Sequence, residues 1–169
     1  MRTALLVLFV VLPLAVGVST TEATARHPLC RGPGKIIVGT PRDDVLRGTR
    51  GRDSICGLGG DDVIYGRGGN DVLLGGTGIN VLWGGRGVDL VDYSARESRI
   101  VVELDAGAGS VSASHSDDTL YDIEAVRGGY GADKMTGDAG SQRFFGGDNA
   151  DMLDGGQGDD LIDAAQVQT

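Results

Sequence analysis

Gly57-Leu-Gly-Gly60-Asp-Asp62-Val-Ile64-Tyr65 is followed by Gly66-Arg-Gly-Gly69-Asn-Asp71-Val-Leu73-Leu74, then by Gly75-Gly-Thr-Gly78-Ile-Asn80-Val-Leu82-Trp83 and Gly84-Gly-Arg-Gly87-Val-Asp89-Leu-Val91-Asp92. The period is nine. Each unit has Gly at its first and fourth places, an acid or amide at its sixth and an aliphatic residue at its eighth. A disordered glycine-rich tract would not keep an apolar residue in phase with an acid two places earlier. The unit therefore reads as a six-residue turn followed by a three-residue strand. Side chains alternate along a strand, so the eighth residue points inward and its neighbours point outward.

Extended both ways, the period defines two blocks. The first runs over 39–92 with inward aliphatics Leu46, Ile55, Ile64, Leu73, Leu82 and Val91. The second runs over 128–163 with Met135, Phe144, Leu153 and Ile162. Glycine lets a turn take positive φ and lets the backbone approach a ligand closely, so such a turn can aim carbonyl oxygens at one point. The sixth residue adds a carboxylate. Ligation by oxygen alone suits a hard, flexible cation, which means Ca²⁺ rather than Mg²⁺ or Zn²⁺.

The pattern is the nonapeptide G-G-x-G-x-D-x-U-x of calcium-binding parallel β-helices, and the chain resembles the RTX (haemolysin-type calcium-binding repeat) family. That resemblance implies an all-β, right-handed parallel β-roll in which two units make one coil and several ions sit between turns eighteen residues apart. The metal ligands would come from Asp44, Asp53, Gly57, Gly60, Asp62, Gly66, Gly69, Asp71, Gly75, Gly78, Asn80, Gly84, Gly87 and Asp89, and from Gly128, Gly131, Asp133, Gly146, Asp151, Gly155, Gly158 and Asp160. The best pairs are Asp44 with Asp62, Asp53 with Asp71, Asp71 with Asp89, and Asp133 with Asp151. Asn80 and Gln142 keep an oxygen but no charge, so their pairings with Asp62 and Asp160 should be weaker. Arg42 and Asn149 stand where a fourth-place Gly is expected.

Residues 1–25 read as a secretory signal, with Arg2 at its start, an apolar run from Ala4 to Val18 and an A-x-A site at Ala23-Thr24-Ala25. An uncleaved anchor is the alternative. The expected location is extracellular, with no later membrane span. Residues 26–38 form an N-terminal cap in which Lys35–Val38 is a first strand covering the end of the roll. Cys30 and Cys56 are the only cysteines; in a secreted chain they suggest a disulfide, worth on the order of 3 kcal/mol, with two free thiols as the alternative. Residues 93–127 depart from the period. Arg99–Asp105 and Leu120–Val126 read as strands, with a small polar loop over 106–118 between them, and the roll continues through them as irregular coils. His115 in that loop has no legible catalytic partner. Trp83 should lie on the outer surface as a cover rather than as a ligand platform. Residues 164–169 are a tail.

The net charge of −9 argues against nucleic acid, whose recognition needs a basic face. Neither H-E-x-x-H nor G-x-S-x-G is present. The reading is a monomeric, non-enzymatic calcium-binding protein serving adhesion, surface display or association with a polysaccharide. The alternative is an accessory module or remnant of a secreted protease, lipase or epimerase. Ordering each residue costs about 1–2 kcal/mol. An ion that binds only the folded form returns about 2.7 kcal/mol per site at a hundredfold excess. The metal-free chain is therefore expected to be largely unfolded, exported in that state and folded outside.

Overall fold

The computed structural model describes residues 30–105, 108–113 and 116–164. The signal segment, His115 and the tail beyond residue 164 lie outside the described residues. Among the described residues every regular element is a strand. Odd and even strands of the first block fall on opposite faces. Lys35–Val38 (β1), Asp53–Gly59 (β3), Val72–Thr77 (β5) and Leu90–Asp92 (β7) start one sheet, sheet A. Val45–Arg47 (β2), Val63–Gly68 (β4) and Val81–Arg86 (β6) start the other, sheet B. Neighbouring strands are parallel and offset by eighteen residues, as in Ile55 opposite Leu73 and Ile64 opposite Leu82. β1 belongs to the same ladder, with Ile37 opposite Ile55. Cys30 and Cys56 are joined as a disulfide, their Cα atoms 5.9 Å apart.

The eighth-place residues form the core. Ile55, Ile64, Leu73, Leu82, Val91, Met135 and Phe144 are fully buried between the sheets. The columns thin at both ends: Leu46 and Leu153 are partly buried, and Ile162 is 44% exposed. Parallel stacking also aligns ninth-place side chains on the outer face. Trp83 stacks on Tyr121 at 3.9 Å and on Tyr65 at 6.4 Å, so its ring faces are covered by other rings.

The segment 93–127 is built differently from the expected loop between two strands. Ile100–Asp105 (β8), Ala108–Ala113 (β9) and Ser116–Tyr121 (β10) form a meander inside sheet B, with β9 antiparallel to both neighbours. Three strands stand in sheet B where the period allows one. The supposed strand Leu120–Val126 is two strands in different sheets. Leu120 ends in sheet B against Leu82, the chain turns at Asp122 (φ 51°), and Val126 enters sheet A in Ala125–Arg127 (β11) against Val91. The alternation at Ile100, Val102 and Leu104 is kept, with the first two fully buried. Lys134–Thr136 (β12), Arg143–Phe145 (β13), Met152–Asp154 (β14) and Leu161–Asp163 (β15) then restore the alternation and complete a 7-stranded sheet A and an 8-stranded sheet B.

The turns are also shorter than six residues in the first block. There β3, β4, β5 and β6 run on through the third place of the following unit, with Leu58 opposite Gly76 and Arg67 opposite Gly85. The backbone bends at that second place, where φ is positive at Leu58 (83°), Arg67 (78°), Gly76 (94°) and Gly85 (98°). Positive φ thus falls at the second and fourth places, and the first-place glycine is needed for another reason.

Candidate metal centre

Each sixth-place side chain sits where its strand begins, with its carboxylate turned toward the coil before and its backbone N–H toward the coil after. The result is a ladder. The backbone N–H of Asp44 donates to Asp62 Oδ1 at 2.8 Å, that of Asp53 to Asp71 Oδ1 at 2.8 Å, and that of Asp71 to Asp89 Oδ1 at 2.8 Å. The same bond joins Asp62 to Asn80 Oδ1 (3.0 Å), Asp133 to Asp151 Oδ1 (2.8 Å) and Gln142 to Asp160 Oδ1 (2.8 Å). All six predicted pairs are therefore brought together.

One carboxylate oxygen is used in this way and the other is not. Asp62 Oδ2, Asp71 Oδ2, Asp89 Oδ2, Asp151 Oδ2 and Asp53 Oδ1 are buried without a hydrogen-bond partner, as is Gln142 Oε1. A buried, unsatisfied charged oxygen costs more than a folded protein ordinarily tolerates. Burial accordingly pushes the Asp71 and Asp89 carboxyls up to about 6; the backbone bond to each opposes this and the neighbouring carboxylate of the column adds to it. Burial raises Asp62 as well.

The first-place glycine explains what these oxygens face. A Cβ on Gly66 would lie 2.6 Å from both Asp71 Oδ2 and the carbonyl oxygen of Gly84 in the next coil. The same combination surrounds Gly57 (Asp62 and Gly75), Gly48 (Asp53 and Gly66) and Gly128 (Asp133 and Gly146). At Gly57 and Gly66 a carboxylate oxygen without a hydrogen-bond partner converges with a carbonyl oxygen, whereas at Gly48 and Gly128 the carboxylate oxygen already accepts from Thr49 or Gly129; at all four, only glycine leaves the point open. Among the described residues no group of three or more acidic, His or Cys side chains forms. An ion at these points would draw its remaining ligands from backbone carbonyls, a donor set that suits Ca²⁺.

A family model described as the RTX calcium-binding nonapeptide repeat matches residues 38–73, 65–95 and 127–162, more than half of the chain. The chain belongs to that family. The RTX repeats thus account for both regular blocks, and the unmatched stretch between them coincides with the meander. No curated protein matches the chain. Among the described residues no helix is long and apolar enough to cross a membrane.

Several positions depart from the repeat. Asn80 places its amide nitrogen near its first-place Gly75, where the other units have a bare oxygen. That nitrogen donates to Asp118 Oδ1 at 2.9 Å and lies 3.4 Å from the Gly78 carbonyl. Asp118, in turn, is fully served by the protein: it accepts from the Asn80 backbone (2.8 Å) and the Tyr93 hydroxyl (2.9 Å), with the Arg96 guanidinium 3.8 Å away. Burial still raises the Asp118 carboxyl, and burial beside Asp118 raises the Tyr93 phenol. Glu124 continues the other column by accepting from the Asp89 backbone at 2.9 Å. Asp133 has both oxygens satisfied, by Ile100 N and Gly129 N. Thr40 and Thr49 satisfy one oxygen each of Asp44 and Asp53 through amide and hydroxyl. Sequence reasoning missed Asp118, Tyr93, Arg96 and Glu124. Asp118 and Glu124 do carry a signal, because each stands two residues before a buried aliphatic, Leu120 or Val126, as a sixth-place acid should.

Proposed function

We propose that this calcium-binding repeat protein is a secreted, non-enzymatic module whose roll is completed by Ca²⁺ and whose outer surface serves adhesion or association with a polysaccharide. The observation that carries the calcium part is the set of buried carboxylate oxygens without partners at Asp53, Asp62, Asp71, Asp89 and Asp151. Asp62, Asp71, Asp89 and Asp151 would hold the ions together with the first-place glycine carbonyls of adjacent coils. When bound, Ca²⁺ supplies positive charge between stacked carboxylates and no chemistry beyond that. The residues themselves fix the coil spacing through the ladder of N–H to carboxylate bonds. Each ion that binds only the folded form adds about 2.7 kcal/mol at a hundredfold excess over its dissociation constant. Extracellular calcium modules of this kind bind at about 10⁻⁴ to 10⁻³ M, which fits folding after export.

The test is far-UV circular dichroism of residues 26–169 during a calcium titration, with magnesium as control. A calcium-specific gain of β signal is expected. Equal signal with and without calcium would sink the proposal.

A further inference from the structure

Three turns of the first block carry the chain from sheet B to sheet A, over residues 48–53, 66–71 and 84–89. Their outer side bears Arg50, Arg67 and Arg86, all exposed, on a chain whose net charge is −9. The three side chains line one open cleft of about 580 Å³ together with Gly68 and Gly69. The register explains the cleft. Arg50, Gly68 and Arg86 hold the third place of successive coils, with Gly68 directly opposite Arg86. A Cβ on Gly68 would meet nothing closer than the Arg50 and Arg86 carbonyl oxygens at 3.8 Å. The missing side chain thus leaves a slot between two arginines, and Arg67 flanks it.

None of the three arginines forms an ion pair; the two ion pairs of the described residues use Arg96 and Arg127. The carboxylates beneath them, Asp53, Asp71 and Asp89, are buried and turned toward the ladder. Calcium would neutralise that column and leave the guanidinium groups without an anion of their own. Arg67 also holds a left-handed backbone (φ 78°), as Leu58 does on the opposite edge (83°), where the next coil uses Gly85. A non-glycine residue pays a strain of about 1–2 kcal/mol there, so its side chain occupies the cleft at the expense of the fold.

We infer that the Arg50–Arg67–Arg86 cleft binds a linear acidic polysaccharide running along the axis of the roll. This rests on the calcium reading, because the cleft exists only in stacked coils. Guanidinium groups match carboxylate and sulfate oxygens in paired fashion. Arg50 and Arg86 are two coils apart, about 9.6 Å at one strand spacing per coil, a separation on the scale of one disaccharide. The turns of the same edge farther down carry Asp122, Glu124, Asp138 and Asp159, which confine a bound polyanion to the three arginine turns; a short acidic stretch of sugar satisfies that limit and a continuous phosphate backbone does not.

The test measures retention of the calcium-folded chain on dextran sulfate and on oligogalacturonate at low ionic strength, against neutral dextran and single-stranded DNA, with circular dichroism recorded for every variant. The wild type should be retained on at least one acidic sugar, and which one names the acid group. Arg67→Gly relieves the strained backbone, so calcium folding should be kept or improved while affinity falls about tenfold. Gly68→Glu places a carboxylate in an open slot and should weaken binding further without loss of the β signal. Unchanged retention of both variants, equal retention on DNA, or a folded wild type that ignores both acidic sugars would overturn the inference alone. Loss of the calcium-induced β signal in the wild type would overturn the calcium reading and this one with it.

Discussion

Two regions of the same sheets solve one electrostatic problem in opposite ways. In the column through Asp53, Asp71 and Asp89, stacked carboxylates are buried with an oxygen left over. Around Asp118, a carboxylate equally buried has an amide, a phenol and a guanidinium around it. The first arrangement requires a cation from solution. The second supplies its positive and hydrogen-bonding partners from Asn80, Tyr93 and Arg96, residues that lie 38 and 25 positions away or on the irregular segment. The difference teaches that departure from the repeat is not simply decay. The belt between the two blocks serves its buried carboxylate with donors of the chain itself.

The comparison breaks most sharply at Asp71. Asp71→Ala removes the carboxylate of one rung and leaves the buried Asp53 N–H without its acceptor. The expected loss at saturating calcium is about 4 kcal/mol or more, from one lost ion and one unsatisfied donor, read as a rise in the calcium midpoint and a lower melting temperature. Asp71→Asn keeps Oδ1 and should lose only the ion term, about 2.7 kcal/mol under the same conditions. An unchanged calcium midpoint in both variants would remove Asp71 from the ion sites.

Asn80→Asp works the other way. It takes away the amide donor to Asp118 and sets a second carboxylate beside it. Without calcium the variant should be less ordered than wild type; with calcium the roll should recover and require more of the ion. Tyr93→Phe is smaller. It strips one hydrogen bond from a buried carboxylate, about 1–3 kcal/mol, and the loss should appear in the melting temperature at saturating calcium with little change in the calcium midpoint. A large change in that midpoint would mean that the belt is itself an ion site.

Acidity gives the most diagnostic effect, because its sign changes with calcium. The folded carboxyls of Asp71 and Asp89 lie near 6, above the ordinary 3.8. Protonation therefore favours the folded, metal-free roll: the gain is complete below about pH 4 and is lost as pH rises through about 6. In calcium the sign reverses, because protons compete with the ion, and the calcium midpoint should rise as pH falls below about 6. Circular dichroism across that window, with chelator and with calcium, checks both signs.

Much of this was legible in the period alone. The eighteen-residue offset follows from two units per coil, and it correctly pairs Asp53 with Asp71 and buries Ile55 against Leu73. What escaped had no period to follow. β9 is a short run of small residues, Ala108–Ala113, whose strand character comes from pairing on both sides rather than from its own alternation. The split of Leu120–Val126 depends on a corner at Asp122 that an alternation pattern does not mark. The sequence did not separate the two roles of glycine by place. The first-place glycine clears space for two oxygens, while positive φ falls at the second and fourth places, even at Leu58 and Arg67. Tyr93 and Arg96 carried no signal because their partner, Asp118, is remote in sequence.

The most direct measurement is an anomalous difference map from crystals grown in calcium. The account predicts peaks about 2.3–2.6 Å from the free carboxylate oxygens of Asp62, Asp71, Asp89 and Asp151, and none at Asp118, where Arg96 and Tyr93 already stand. A peak at Asp118, or turns of the first block without any peak, would contradict it.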